Sequence, residues 1–467
     1  MTLPAASNES NEALANAAKA EQLLSTLLRS EEVLAELEDE VRPNTRQVYT
    51  KAPTLWMMIL QRLYGGLSFR EVVARLLEQH RDLLPKNRRV EEHTLSYNTS
   101  AYNAARKRLT LKAVEDFSLL LCNTLAESAE PVLLGHRAFI IDGTTITLAP
   151  TEELAKAFPP ASNQHGESVW PVAQLLVAHE LQTGCAVVPQ IDPMYGPNNV
   201  SEAKQAARIV ELLPNESIIL ADTAFGIFQV AWSCVKHNKK FLFCLSKVRF
   251  NSHLKKAELV EEGDGFRTYQ LLWKPSDKEL KSNPELPADA EIRVFIHQVV
   301  LPGGKTLELV SNLEVDAKTA GALYKRRYDV EFDIRDVKVT LETERIRAKS
   351  VDMMMKELLA SIIAYNLVVQ FRRQAAKIAG VPVRELSFTG VWKVFQIKLL
   401  EPKHDTPEAL TTAYQIALLL AAQQRLPHRK AIRSYPRVAH SRRPKTTKYQ
   451  KQLAKQKRSE PPETPPG

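Results

Sequence analysis

From about residue 135 the chain alternates short β-rich apolar runs with helix-patterned stretches, and no other feature restricts the fold as much. Ala138–Ile141 and Thr144–Leu148 are strand-like and meet at the turn dipeptide Asp142-Gly143. Trp170–His179 and Cys185–Ile191 follow, separated by the turn-forming Gln182-Thr-Gly184. A helix over Val200–Leu213, a strand Ser217–Ala221, a helix from Ile227 to about His237 and a strand Phe241–Leu245 complete the alternation. Strands alternating with helices in this way predict an α/β sheet.

The flanking segments have different textures. Residues 1–20 are polar and Ala/Asn-rich and read as a disordered leader, and residues 21–130 read as an all-helical domain. Within that domain Leu55–Leu63, Gly65-Gly66 and Ser68-Phe-Arg-Glu71 form a helix, a stop and a capping-box restart, the outline of a helix-turn-helix. A short helix over Thr99–Leu109 carries Arg106, Lys107 and Arg108 at its end, where the cations could neutralise phosphates, with Asn103 or Arg106 near base edges. The alternative is that these cations only complement the helix dipole.

Residues 131–246 make the first part of the α/β core, and 247–312, with Phe266–Trp273, Glu291–Leu301 and Thr306–Ser311, a β-rich insertion. Residues 313–375 return to helix, from about Asp316 to Arg347 and again over Met353–Gln374, and 376–467 hold a last helix and a Pro- and cation-rich tail.

Two acids stand out within this pattern. Asp142 directly follows Ala138-Phe-Ile-Ile141, and Asp222 directly follows Ser217-Ile-Ile-Leu-Ala221. A carboxylate at the end of a buried strand needs a cation, hydrogen bonds or a metal. A third acid, Glu331, lies in a helical stretch where Tyr324, Arg327, Glu331 and Lys338 fall within roughly 60° of one another at about 100° per residue. Arg335 and Glu342 share that stripe, and Val330, Ile334, Val337 and Leu341 recur at core spacing beside it. A mixed-charge stripe can be a solvated face laced with pairs such as Arg327–Glu331. Packed on the sheet, however, Glu331 could converge with Asp142 and Asp222. Three such carboxylates could hold two magnesium ions for phosphoryl transfer.

The spacing Tyr324-x2-Arg327-x3-Glu331-x6-Lys338 resembles the YREK signature of the insertion-sequence-four group of DDE transposases. The segments IIDGTT around Asp142, ILADTAFG around Asp222, LVSNLEVDAKTAGALYKRRYDVE before Glu331 and ELLASIIAYNLV after it resemble the same family. Two positions depart from it, Ala224 in place of a usual Gly and Tyr328 in place of a frequent Trp. The resemblance implies an RNase H-like catalytic core interrupted by a β-rich insertion, with an N-terminal all-α DNA-binding region and a basic C-terminal tail. It further implies that Asp142, Asp222 and Glu331 bind Mg²⁺ or Mn²⁺, two ions in all, and that Tyr324, Arg327 and Lys338 contact DNA; Arg335, on the same stripe, and Arg106, Lys107 and Arg108, on the short basic helix, are further candidate DNA contacts. Transposon terminal inverted repeats and target DNA would be the partners, engaged by a homodimer. Trp170 and Trp232 are the aromatics on which a flipped base could stack in a hairpin intermediate. An RNase H-like nuclease or resolvase without strand transfer, and a domesticated non-catalytic DNA-binding protein, are the alternatives.

Charge distribution agrees with a polyanionic partner. The 467-residue chain carries a net +9, but the segment from Arg425 onward alone carries +11, leaving −2 for residues 1–424. That tail, interleaved with Tyr435 and Tyr449, suits salt-dependent, sequence-blind phosphate binding. Cys122, Cys185, Cys234 and Cys244 are solitary, which gives neither a zinc motif nor a disulfide framework. The first twenty residues lack a signal-peptide pattern. The most apolar stretches, Leu358–Val369 and Ala417–Ala422, fall short of the ~20 residues of a membrane span. The expectation is a soluble cytoplasmic, nucleoid-associated protein with no membrane partner.

Overall fold

The pivotal strand β1, Arg137–Thr147, runs straight through Asp142-Gly143 where the sequence suggests a turn. Its continuity comes from its neighbour: β3, Gly166–Glu180, pairs antiparallel with it on both sides of Asp142, which stands opposite Val177. Nine backbone partners in register outweigh the local turn preference of an Asp-Gly pair. On its other edge β1 pairs in parallel with β5, Ser217–Ala221, but only as far as Ile141 and Ala221.

The computed structural model describes residues 47–427 apart from 80, 82–83, 86–87, 128, 164–165, 338–345 and 401–405. The expected leader, the basic tail beyond residue 427, and Lys338, Leu341 and Glu342 lie outside the described residues.

The strands form one ten-stranded sheet. β4, Ala186–Pro193, β3 and β1 are antiparallel, then β5 and β6, Lys240–Cys244, continue in parallel with β1. This order, β4-β3-β1-β5-β6, fits an RNase H-like core. The short β2, Pro160–Asn163, pairs with the start of β3. Beyond β6 the sheet carries on as an antiparallel meander of β10 (Thr306–Ser311), β9 (Ile292–Val300), β8 (Phe266–Trp273) and β7 (Glu258–Gly263). The β-rich stretch is therefore hydrogen-bonded into the core sheet. Its edge strand β7 is exposed along its length and has no apolar alternation to announce it.

Fifteen helices are described. In the N-terminal region these are α1 (Lys51–Leu63), α2 (Phe69–Gln79), α3 (Arg88–Glu91), α4 (Ser100–Arg108) and α5 (Leu111–Glu127). Around the sheet lie α6 (Glu152–Ala157), α7 (Glu202–Leu212), α8 (Phe228–Lys236), α9 (Lys247–Leu254), α10 (Asp277–Ser282), α11 (Ala317–Lys325) and α12 (Asp329–Arg335). The chain then forms α13 (Val351–Ala379), α14 (Phe388–Phe395) and α15 (Pro407–Ala422).

Strand alternation sorts the core into two faces. Phe139, Ile141, Ile219, Phe241 and Phe243 pack with the N-terminal helices, α7, α8 and α13, while Ala138, Ile140, Ile218, Leu220 and Leu242 pack with α11 and Val330. The N-terminal helices and the sheet thus share one continuous core. The central helix α13 runs from a Ser350 cap, whose side chain accepts from the Met353 amide, to Gly380, where a left-handed φ of 61° favours glycine. It is long and apolar enough to cross a membrane, yet 94% of its most apolar window is buried inside the protein, as in the core helix of a folded domain.

The capping box at Ser68 forms as the sequence suggests: Ser68 N donates to Glu71 Oε2 at 2.8 Å, and Glu71 N donates to Ser68 Oγ at 3.3 Å. Two of the N-terminal helices, α1 and α4, are fastened to α13 by charge. Glu357 accepts from Arg62 of α1 at 2.9 Å and from Arg106 of α4 at 2.5 Å, all three side chains being nearly buried. Removing the shared acid leaves two buried cations unpaired. Glu357→Ala is expected to lower the unfolding free energy by roughly 3–5 kcal/mol in urea titrations. A loss below about 1 kcal/mol would show that the two arginines find other compensation.

Candidate active site

The parallel β1–β5 pairing ends at Ile141 and Ala221, so Asp142 and Asp222 emerge side by side where the two strands part. Each uses one carboxylate oxygen locally. Asp142 Oδ1 accepts from Gly143 N and Asp222 Oδ1 from Ala224 N, both at 2.8 Å. Burial is the main cause that pushes the Asp142 carboxyl above its usual range, and the charge of Asp222 adds to it, against the Gly143 amide and Arg327. By strand parity Asp142 belongs to the face of the sheet that α11 covers.

From that face comes Arg327, in the 3₁₀ turn Arg326–Tyr328 that follows α11. Its guanidinium lies 6.0 Å from the centre of the Tyr324 ring and 4.8 Å from that of Tyr328. Burial opposes its charge, but Tyr324, Asp142 and Asp222 prevail and raise its pKa. Its Nε is buried and, among the described residues, has no hydrogen-bond acceptor. Tyr324 is buried beside the Cys244 thiol, and burial first, then Cys244, lifts its phenol above the ordinary value.

Glu331 stands apart. Its side chain is 62% exposed, and its nearest ionic partner is Arg327, 3.9 Å away. Among the described residues no three His, Cys, Asp or Glu side chains are grouped closely enough to hold a metal ion. The single stripe expected of one uninterrupted helix is corrected here, because the 3₁₀ turn separates α11 from α12. A 3₁₀ residue turns about 120° instead of about 100°. Three of them bring Val330 to within roughly 60° of Tyr324, where an unbroken helix would leave it roughly 120° away. Burial of both side chains against the same face accounts for the break. The expected continuation to Arg347 is also corrected, since residues 346–350 are non-helical.

Arg335 is exposed, pairs with Asp336 at 3.5 Å and lies over the Phe332 ring. Arg106, expected at DNA, is only 3% exposed and is committed to Glu357, with Phe69 and Tyr102 around its guanidinium. Lys107, Arg108 and Asn103 of the same helix do face solvent. Trp170 is exposed on β3, whereas Trp232 stacks on Phe228. Sequence reasoning missed Glu202 in the first turn of α7, whose carboxylate approaches Asp142 from the opposite face of the sheet. A Cβ on Gly143 would sit 3.1 Å from Glu202 Oε1, so the glycine makes room for this acid. The signal available was the Gly directly after the Asp.

The sequence model of the family described as "Transposase DDE domain" matches residues 133–367. The chain belongs to the DDE transposases. The match spans β1 through most of α13 and so contains Asp142, Asp222 and Glu331, while Lys107 and Arg108 fall outside it. This DDE transposase is similar to the transposase InsG of insertion sequence element IS4 from Escherichia coli (strain K12), 23% identical over 354 residues that cover 73% of this chain and 76% of that protein. Among solved structures it is similar to a piggyBac transposase synaptic complex with hairpin DNA, at a TM-score of 0.40 and 11% identity, covering 85% of this chain and 84% of the other.

The family uses divalent metal ions, and the donor set where β1 and β5 part fits a hard cation. Asp142 and Asp222 offer oxygen ligands only, each with one oxygen left after its backbone hydrogen bond. Burial and the charge of Asp222 both disfavour a bare carboxylate at Asp142, which a bound cation would offset.

The raised proton affinity of Asp142 carries a pH dependence, shared with Asp336, whose carboxyl burial pushes up to about 6. Between the unfolded value of about 3.9 and about 6 the folded state holds a proton on Asp336 that the unfolded chain has released, so stability falls as pH rises through that window. Asp336→Asn is expected to flatten the fall by roughly 2–3 kcal/mol between pH 4 and 7 in metal-free urea titrations. An unchanged slope would contradict it.

Proposed function

We propose that this chain is the transposase of an insertion sequence, binding the terminal inverted repeats of its element, cleaving at their ends and joining the released 3′-OH to target DNA. The observation that carries the reading is the pair Asp142 and Asp222 where the parallel pairing of two buried strands stops, with Arg327 electrostatically coupled to both and Glu331 one turn further on. Asp142, Asp222 and Glu331 are the residues that would hold Mg²⁺ or Mn²⁺. Divalent ions in such a site supply activation of the attacking oxygen and stabilisation of the leaving 3′ oxygen.

The protein's own part is positioning and charge. Arg327 offers a buried donor without an acceptor, which a phosphate oxygen of the transposon end satisfies. Its engagement by phosphate loosens its hold on Glu331, which is then available to the two aspartates. Tyr328 supplies an exposed ring beside the arginine, and Arg335 an exposed cation one turn past Glu331. Lys338 belongs to the same group by the resemblance. Lys107 and Arg108 on α4 serve as sequence-independent phosphate contacts. A homodimer acting on paired ends is the assembly this chemistry suits.

Glu331→Gln is expected to reduce cleavage of a labelled element end in magnesium by roughly a hundredfold or more. End binding should stay within about twofold, because the cations of the site remain. Equal cleavage by the two proteins would remove Glu331 from the site. Cleaved ends that never appear joined to target DNA would reduce the activity to that of a nuclease, and no cleavage by the wild type would leave a DNA-binding protein. Lys107→Ala with Arg108→Ala is expected to lower the salt slope of DNA binding by about 0.9 for each lost phosphate contact. An unchanged slope would return α4 to a structural role.

A further inference from the structure

The helix that carries Glu331 has little stiffness of its own. α12 is seven residues long, preceded by the 3₁₀ turn Arg326–Tyr328 and followed by a wider π-type turn from Asp336. A helix of two turns between irregular ends takes its orientation from side-chain anchors. Two anchors point inward, Val330 and Asp333, both essentially buried. At about 100° per residue Glu331 lies roughly 160° around the helix from Asp333, so whatever holds Asp333 sets the direction in which Glu331 projects.

Arg384 holds Asp333. Its Nη2 donates to Asp333 Oδ2 at 2.6 Å, and its Nε lies 3.3 and 3.2 Å from the two carboxylate oxygens. The same guanidinium donates through Nη1 to Leu181 O at 2.6 Å and stands 3.6 Å from Asp329, at the start of α12. Leu181 N in turn donates to Ala138 O at 2.8 Å, on β1, four residues before Asp142. Gly184 permits the approach: it has a φ of +80°, and a Cβ there would meet Asp333 Oδ1 at 3.2 Å. An unbroken line of short polar contacts therefore runs from the Glu331 helix through Arg384 to the strand bearing Asp142. A buried ion pair is weak evidence for stability as such, since apolar replacements of similar volume are often as stable, whereas its directional fork does fix a geometry.

We infer that Arg384 is a positioning residue that sets the orientation of α12, and so holds Glu331 where it can join the metal site shared with Asp142 and Asp222 once Arg327 engages phosphate. The inference rests on the reading of Glu331 as a metal ligand. Outer-shell partners of metal ligands typically control about 10–100-fold in metal affinity.

The test compares the full-length wild type with R384K, the paired D333N/R384Q variant and E331Q. Mn²⁺ affinity is measured by calorimetric titration of each protein bound to an uncleavable element end, melting temperature without metal, and cleavage of an element end as a function of Mn²⁺. R384K keeps the charge but loses the fork, and the paired variant removes both charges while leaving amides to pair. Both are expected to bind Mn²⁺ about tenfold more weakly and to need correspondingly more Mn²⁺ for half-maximal cleavage, with end binding within about twofold of wild type. If E331Q loses Mn²⁺ affinity while both Arg384 variants retain it, the positioning role is overturned and the ligand assignment stands. If E331Q retains wild-type affinity, the ligand assignment fails and the inference with it. If both Arg384 variants lose their melting transition altogether, Arg384 is required for folding and the specific positioning role is overturned.

Discussion

The parallel pairing of β1 with β5 is the constraint on which the rest of the site depends. The fully buried runs Ala138-Phe-Ile-Ile141 and Ser217–Ala221 pair in register, and their pairing stops where two carboxylates come adjacent at the margin of the core. Apart, each aspartate would be an ordinary residue following an apolar run. Together, with burial already raising the proton affinity of Asp142, they create a demand for positive charge that hydrogen bonds from Gly143 and Ala224 only partly meet. Arg327 answers part of that demand from the α11 side of the sheet, and Glu202 increases it from the other.

The features legible in the sequence were those written locally. A run of β-branched and aromatic residues followed at once by an acid marks a buried strand meeting a polar margin, which is why Asp142 and Asp222 could be picked out before any coordinates. The capping box at Ser68 and the stop at Gly65-Gly66 are equally local, and both are present. β1 shows the limit of that reading. Asp142-Gly143 has the composition of a turn, yet the ladder to β3 carries it through as strand, a decision made by residues more than thirty positions away.

The residues that misled sequence reasoning are those whose partners are remote. Arg106 sits in a cluster of cations at a helix end, a pattern shared by DNA-facing and core-facing arginines. Its acid, Glu357, lies 251 positions away. Likewise nothing near Asp333 announces Arg384, 51 positions later, and nothing in the periodicity from Tyr324 to Lys338 announces the 3₁₀ turn at Arg326–Tyr328. That turn is a packing decision: it lets Tyr324 and Val330 bury against the same face, a gain of roughly 1.5–3 kcal/mol for a fully buried side chain of this size. Pattern reasoning assumes a constant angle per residue, and tertiary burial is what changes the angle.

The exposure of Glu331 follows from the same electrostatics. Asp142 already feels Asp222 and Glu202, and a third or fourth carboxylate brought against them without added positive charge would meet repulsion in a partly desolvated setting. Among the described residues Arg327 is the cation that acts on Asp142, so the lower-energy place for Glu331 is solvent, at the outer side of that arginine. A polyanionic substrate faces the converse difficulty, since it must approach a margin that carries Asp142, Asp222 and Glu331. Under the proposed function each problem is relieved by the other component. Divalent charge makes the acids tolerable neighbours for Glu331 and for phosphate alike, and phosphate draws Arg327 away from the carboxylate it restrains. Metal and DNA are then linked ligands, each raising the affinity of the other by the same factor, and the site becomes fully formed only when both are present.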